Sequence, residues 1–432
     1  MNVARFFNLP TDPTVYISER GQSPSMEVTL APRATAVALC FVAGGVALGT
    51  LSGLVPGLHA NNMALLLAGV APSIPGPPLY VGMAMLAAGV VHTFLEIVPT
   101  LALGVPDPAM AAAALPGHRL VLEGRGREAL RLSAVGSAAA VVLAAPLAVP
   151  ITRAMVRLWP ILRANLALVL GCVAAALFLT ERGLASKVVG AISFGLSAML
   201  GLGTLDLSPE APLAAGGMLA PLFAGLFGAP VLIDAIGGEG VPPQDGPEVA
   251  ASKGSVLGLS GLGTLAGAVV GYVPAVSSAV AATLALLAVP GRYGARGFVV
   301  ATSGVNTANT IFALFALIAL GSPRTGVLVA VESASVPLSV PHLLVAVVVG
   351  AAAGVLGVLG IGGRYLSVVG GMDPTRLSVG LLCALGALSF LFAGLTGVGA
   401  YVAATAVGLV PARFHARRAN LMGVLIGPIV LG

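Results

Sequence analysis

His92 and Glu96 stand four residues apart in an apolar run, a spacing that sets both side chains on one face of a helix. Glu96 is the acid centred in a long apolar span, where a carboxyl costs a few kcal/mol unless it is paired or hydrated. The pair has the chemistry to carry a coupling proton or to hold Na⁺. It serves equally as a neutral glutamic acid hydrogen-bonded to His92 as structural glue. Thr302, Asn306, Asn309 and Thr310 recur at helical spacing further along, with no acid among them. Their uncharged oxygens suit Na⁺ or a substrate hydroxyl, and also suit hydrogen bonds between helices.

Two Gly/Pro breaks carry the remaining polar groups. Pro56-Gly57 leads into Leu58-His59-Ala60-Asn61-Asn62 before the apolar run resumes, and Tyr272 and Pro274-Ala275 precede Ser277 and Ser278. A helix that restarts after such a break exposes its first N–H groups at depth in the membrane. With the positive end of the helix dipole, those groups can hold an anion without a buried Lys or Arg. The expected substrate site is therefore Pro56, Gly57, His59, Asn61 and Asn62 from one break, with Tyr272, Pro274, Ser277 and Ser278 from the other. His92, Glu96, Asn306, Asn309 and Thr310 are the candidates for ion coupling. The structural alternative is that the breaks only kink helices for packing, with Gly-x3-Gly letting them approach closely.

The elements that must position these residues are membrane spans. Of the 432 residues, 57% are hydrophobic and 9% charged, against about 25% charged in a soluble domain. A mean hydropathy of +1.02 excludes a disordered chain, and the 58 glycines and 31 prolines follow no collagen period. An all-α integral membrane protein is the expectation. Spans are expected near 79–105, 131–150, 164–180, 187–203 and 212–231, then 297–320, 341–361, 376–396, 398–411 and 418–432. The stretches 34–71 and 255–290 are too long for one span each and are broken in the middle, like re-entrant hairpins.

These two stretches match. Gly49-Thr-Leu-Ser-Gly53-Leu-Val-Pro56-Gly57 and Gly267-Ala-Val-Val-Gly271-Tyr-Val-Pro274-Ala275 share Gly-x3-Gly-x2-Pro-small, 218 positions apart. His92-Thr93 and Asn309-Thr310 each lie 12 residues before a glycine, Gly104 or Gly321, at an offset of 217. The chain reads as a duplication. A polar segment 1–33 precedes repeat 1 (34–231), an acidic linker (232–254) and repeat 2 (255–432). No cleavable leader is evident in the first 30 residues, which are polar and carry Pro, Asp and Glu.

Positive residues favour the cytoplasmic side. Arg119, Arg125, Arg127 and Arg131 place their loop inside, and Arg413, Arg417 and Arg418 place the corresponding loop of the other half. The loop around Asp206 and Glu210, without Lys or Arg, falls outside. The halves then have opposite topology, each a broken hairpin plus five spans, which points to a secondary transporter with its site at the breaks. An expected loop at 150–163, with Arg153, Arg157 and Arg163, breaks the charge rule. Residues 106–119 and 123–127 read as a solvated, turn-rich connection.

Other classes fare poorly. The 21 Lys/Arg are scattered, so no nucleic-acid partner is expected. Cys40, Cys172 and Cys383 lack metal-ligand spacing and read as packing residues, and no metal or organic cofactor is expected beyond a coupling Na⁺ or H⁺. His-Glu-x-x-His, Gly-x-Ser-x-Gly and Walker lysine motifs are absent, which argues against an enzyme or an ATP-driven pump.

At Gly49–Asn62 and Gly267–Ser278 the sequence resembles the tripartite tricarboxylate transporter permeases, the TctA-type large membrane subunit. From Val91-His92-Thr93 to Gly104-Val-Pro-Asp-Pro108, and at Leu115-Pro-Gly-His-Arg119, it is similar to a divergent archaeal-like branch. The resemblance covers roughly residues 35–432 and implies ion-gradient-driven uptake of citrate-like carboxylates at the cell membrane. It also implies a small membrane subunit and an extracytoplasmic binding protein as partners. The second motif departs from it with Pro274-Ala275 in place of Pro-Gly, and the first continues His-Ala-Asn-Asn where typical members are small and apolar. The broken-hairpin inverted repeat also resembles the polyprenyl-phosphate transporters, which flip a lipid-linked phosphate, and a helix N-terminus suits phosphate as well as carboxylate. A non-transporting scaffold or intramembrane enzyme is the third reading.

Overall fold

A computed structural model describes residues 32–56, 58, 60–104, 111–181, 183–213, 217–238, 240–246, 248–273, 276, 278–287 and 293–431. Helices account for the regular structure, with no strand among the described residues. In chain order they are α1 (Pro32–Leu54), α2 (Ala60–Val70), α3 (Pro78–Leu103), α4 (Ala111–Leu122) and α5 (Gly126–Ala164). Then follow α6 (Leu166–Leu179), α7 (Leu184–Thr204), α8 (Leu219–Ala235), α9 (Lys253–Tyr272) and α10 (Ser278–Leu287). The last are α11 (Gly294–Leu320), α12 (Gly326–Ser333), α13 (Val340–Gly370), α14 (Pro374–Arg413) and α15 (Arg418–Leu431). Eight of these (α1, α3, α5, α7, α9, α11, α13 and α14) are long and apolar enough to cross a bilayer. Leu51, Val142, Leu168, Leu356 and Leu395 stand exposed on the outer helices, apolar surface of the kind that lipid covers.

Helices α3 and α11 are the innermost spans, buried around most of their circumference. Each receives one broken hairpin through a stripe of glycines. Gly45 and Gly49 of α1 rest on the backbone of Ala84 and Ala88, where a Cβ would overlap main-chain atoms, and Gly53 rests against the Cβ of Leu95 and the backbone of His92. Gly263 and Gly267 of α9 rest in the same way on Ala301 and Val305, and Gly271 rests against the Cβ of Phe312. Without a hydrophobic force between helices in lipid, such backbone contact supplies the dispersion energy of association. The rising numbers on both members of each pair make α1 parallel to α3 and α9 parallel to α11.

The halves interlock. Helix α13 packs on α3, and α5 packs on α11. Along α3, Gly82 meets Val336 and Gly89 meets Val327, beyond the end of α11, whereas Gly117 bridges Leu101 to Val299 near its start. Helices α3 and α11 therefore run antiparallel.

Helix α3 lacks one main-chain hydrogen bond beside Glu96, because Pro99 has no N–H for the carbonyl of Leu95, while Glu96 itself keeps helical φ −59° and ψ −20°. Thr100 Oγ1 donates to the Glu96 carbonyl at 2.7 Å. Helix α14 folds back on itself at Ala393-Gly394, where Gly394 takes φ 57° and ψ −152°. Its two arms, the expected spans 376–396 and 398–411, meet where Tyr401 Oη donates to the Leu382 carbonyl at 3.3 Å.

Three expectations are corrected. Residues 150–163 form no loop: they continue α5, whose 39 residues reach about 58 Å, well past the hydrocarbon core. Pro146, Pro150 and Pro160 lie inside that helix, so its prolines do not end it. The connection after α3 is helical over Ala111–Leu122, where α4 contains Pro116 and buries Leu120 and Val121, and is a turn only at Glu123-Gly124, where Glu123 is exposed; residues 105–110 lie outside the described residues. The three cysteines are exposed on the outer surface and fill no packing position.

Residues 236–252 between α8 and α9 are tied to the start of α5. Glu128 pairs with Arg125 and Arg296, each at 2.8 Å, and accepts from Ala250 N at 2.9 Å.

Candidate functional site

Glu96 of α3 meets Asn306 of α11, and a buried polar chain runs from one broken hairpin to the other through it. Ser52, in the last turn of α1, has its Oγ 2.9 Å from His92 Nδ1 and 2.9 Å from Met63 Sδ in the first turn of α2. His92 Nε2 lies 3.5 Å from Glu96 Oε2. The other carboxyl oxygen, Glu96 Oε1, accepts a short hydrogen bond from Asn306 Nδ2 across the two halves. Asn306 Oδ1 in turn accepts from Ser278 Oγ, the first residue of α10, at 3.4 Å. Ser52, His92, Glu96, Asn306 and Ser278 are all buried.

Proton counting constrains this chain. Ser52 has one hydroxyl proton and three neighbours, Gly49 O, Met63 Sδ and His92 Nδ1. If that proton goes to Gly49 or Met63, Nδ1 donates to Ser52; if it goes to Nδ1, the proton of a neutral imidazole sits on Nε2, facing Glu96.

Of the sequence-derived candidates, His92, Glu96, Asn306 and Ser278 come together here. Thr310 sits one turn on, its Oγ1 3.5 Å from the Asn306 carbonyl. Asn309 is half-buried on the neighbouring face, with its Oδ1 buried and unpartnered. Thr302 bonds the Phe298 carbonyl at 2.7 Å, within its own helix. Tyr272 closes α9 fully buried, but its hydroxyl turns to Thr152 of α5 at 2.6 Å and not to the chain. Pro56 forms the turn after α1, and Asn61 and Asn62 lie in the first turn of α2. Gly57, His59, Pro274 and Ser277 lie outside the described residues. Ser52 and Met63 are additions. Ser52 is the one polar side chain in Leu51-Ser-Gly-Leu-Val55, and its counterpart 218 residues on is Val270.

The fold and this chain define a multi-pass membrane protein built of two interlocked helix sets joined by a buried polar contact. The chain belongs to the Tripartite tricarboxylate transporter TctA family, matched over residues 39–423. That is a family of transporters, and its members are the permease component of a tripartite system that also has partner subunits. The chain is 24% identical over 399 residues to an uncharacterized protein of the archaeon Methanocaldococcus jannaschii, covering 91% of this chain and 98% of that protein. This relative accords with a divergent, archaeal-like branch. No solved structure matches.

Proposed function

We propose that the chain is a secondary transporter that moves a small organic anion, a di- or tricarboxylate, across the cell membrane by alternating access. The anion binds where α2 and α10 begin, and the charge state of the His92–Glu96 pair couples its movement to a proton or Na⁺ gradient. The observation that carries this reading is the buried chain Ser52–His92–Glu96–Asn306–Ser278, which ties both half-helices to one ionisable group. Its ends are the places where helix dipoles offer positive charge without a fixed cation.

The antiparallel course of α3 and α11 supports an inverted repeat, with the hairpin α1–α2 entering from outside and α9–α10 from inside. Arg125, Arg127 and Arg413 then lie at the cytoplasmic face, and the connection from α11 to α12 lies at the extracytoplasmic face. The tripartite family supports a small membrane subunit and an extracytoplasmic binding protein as partners.

Thermal stabilisation of the purified chain tests the reading. Citrate, succinate, inorganic phosphate and a short polyprenyl phosphate are compared, each with and without Na⁺ and at two pH values. A ligand at 100 times its Kd adds about 2.7 kcal/mol to the folded state. A shift with the carboxylates that depends on Na⁺ or pH is expected. A shift with polyprenyl phosphate alone would transfer the assignment to a lipid-phosphate flippase.

A further inference from the structure

Arg324 lies in the connection between α11 and α12, at the opposite end of α11 from Arg296. Its guanidinium stacks over the Trp159 ring, 4.6 Å from the centroid. Nε and Nη2 are both inaccessible to solvent and have no hydrogen-bond partner. These two nitrogens form the side edge of the guanidinium, with N–H groups that point the same way. The hydroxyl of the next residue, Thr325, is also buried without a partner and caps no helix N–H. Burial lowers the Arg324 pKa from its ordinary value, yet guanidinium remains charged at any physiological pH. Trp159 accounts for the cation's face and leaves the edge unmet. Two parallel donors on a fixed cation are the complement of a carboxylate, which accepts both at once.

We infer that Arg324 and Thr325, beside Trp159, form a carboxylate-binding subsite at the extracytoplasmic mouth, shielded in this conformation and met by the substrate when that mouth opens, before it reaches the Glu96 chain. The placement rests on the topology proposed above. The subsite is separate from the buried chain: from Asn306 to Leu320, α11 advances 14 residues, about 21 Å. It adjoins the first broken hairpin, because α12, which begins just after Thr325, packs on α2.

Trp159 is the only tryptophan in the chain, so its fluorescence reports on Arg324 directly. The full chain in detergent is titrated with citrate, and with acetate, inorganic phosphate and KCl at matched ionic strength. Citrate is expected to change the emission saturably, while KCl does not. Arg324→Gln should weaken the apparent Kd at least about tenfold, and Arg324→Lys, which keeps the charge but loses the fork, should fall between. Thr325→Val should cost a few-fold. Should Arg324→Gln fail to fold, the Lys and Val variants carry the same comparison. A citrate response that is unchanged in these variants, matched by KCl, or given by phosphate alone would overturn the subsite. Citrate uptake by proteoliposomes without dependence on Arg324 would also overturn it and leave the transporter reading standing. A citrate response at Trp159 lost in Arg324→Gln, without carboxylate flux, would keep the subsite and remove the transporter reading.

Discussion

Glu96 is held by groups from two helices, and its two oxygens do different work. Oε1 accepts from Asn306 Nδ2, whereas Oε2 faces His92 Nε2 at 3.5 Å. Glu96→Gln keeps an oxygen for Asn306 and fills the same volume. Glu96→Ala instead strips Asn306 Nδ2 of its acceptor in a buried site, at a cost of about 1–3 kcal/mol. Thermal melts of both variants should therefore show Gln close to wild type and Ala clearly lower. Equal loss in the two would mean that the carboxylate's charge, and not its hydrogen bond to Asn306, holds the helices. The His92–Glu96 pair is legible in the sequence, because four-residue spacing fixes a shared helix face. The Glu96–Asn306 contact is not, since no local rule matches side chains 210 residues apart. Ser52 is hidden differently, in a motif read for its glycines and proline.

The glycine stripes of α1 and α9 set how closely each hairpin seats on its partner span. A Cβ at Gly49 would run into the Ala88 carbonyl, and one at Gly267 into Val305 O and the Ala308 side chain. Gly49→Val and Gly267→Val should each cost about 1–3 kcal/mol or more, as overpacked cores do, since main chain cannot rotate aside. Gly44→Val serves as the control, because nothing lies within 4 Å of its added Cβ. Melting temperatures in detergent check this, and a Gly49→Val protein as stable as Gly44→Val would contradict the seating described. Most spans are readable from length and hydropathy. The exceptions have physical causes. Pro150 and Pro160 look like helix ends, yet α5 runs through both, because a membrane helix can re-satisfy the carbonyls that proline frees. Helix α4 is concealed by Pro116-Gly117, although its buried Leu120 and Val121 pack into the core.

At the scale of the molecule, two helix sets share an order and exchange partners, α13 onto α3 and α5 onto α11. Movement of one set against the other must stretch or break the Glu96–Asn306 contact, and under the proposed mechanism the charge state at Glu96 sets the cost of that movement. Two motifs at offsets of 218 and 217 make the sequence read as a duplication, but the packing of α13 on α3 and of α5 on α11 is not legible there, because nothing in a repeat says which copy it packs against. The most direct test is citrate uptake into proteoliposomes under an imposed inward proton or Na⁺ gradient, with wild type beside Glu96→Gln. Wild type should accumulate citrate above the external concentration, and Glu96→Gln should only equilibrate it. No protein-dependent carboxylate flux, or gradient-driven accumulation undiminished in Glu96→Gln, would contradict the account.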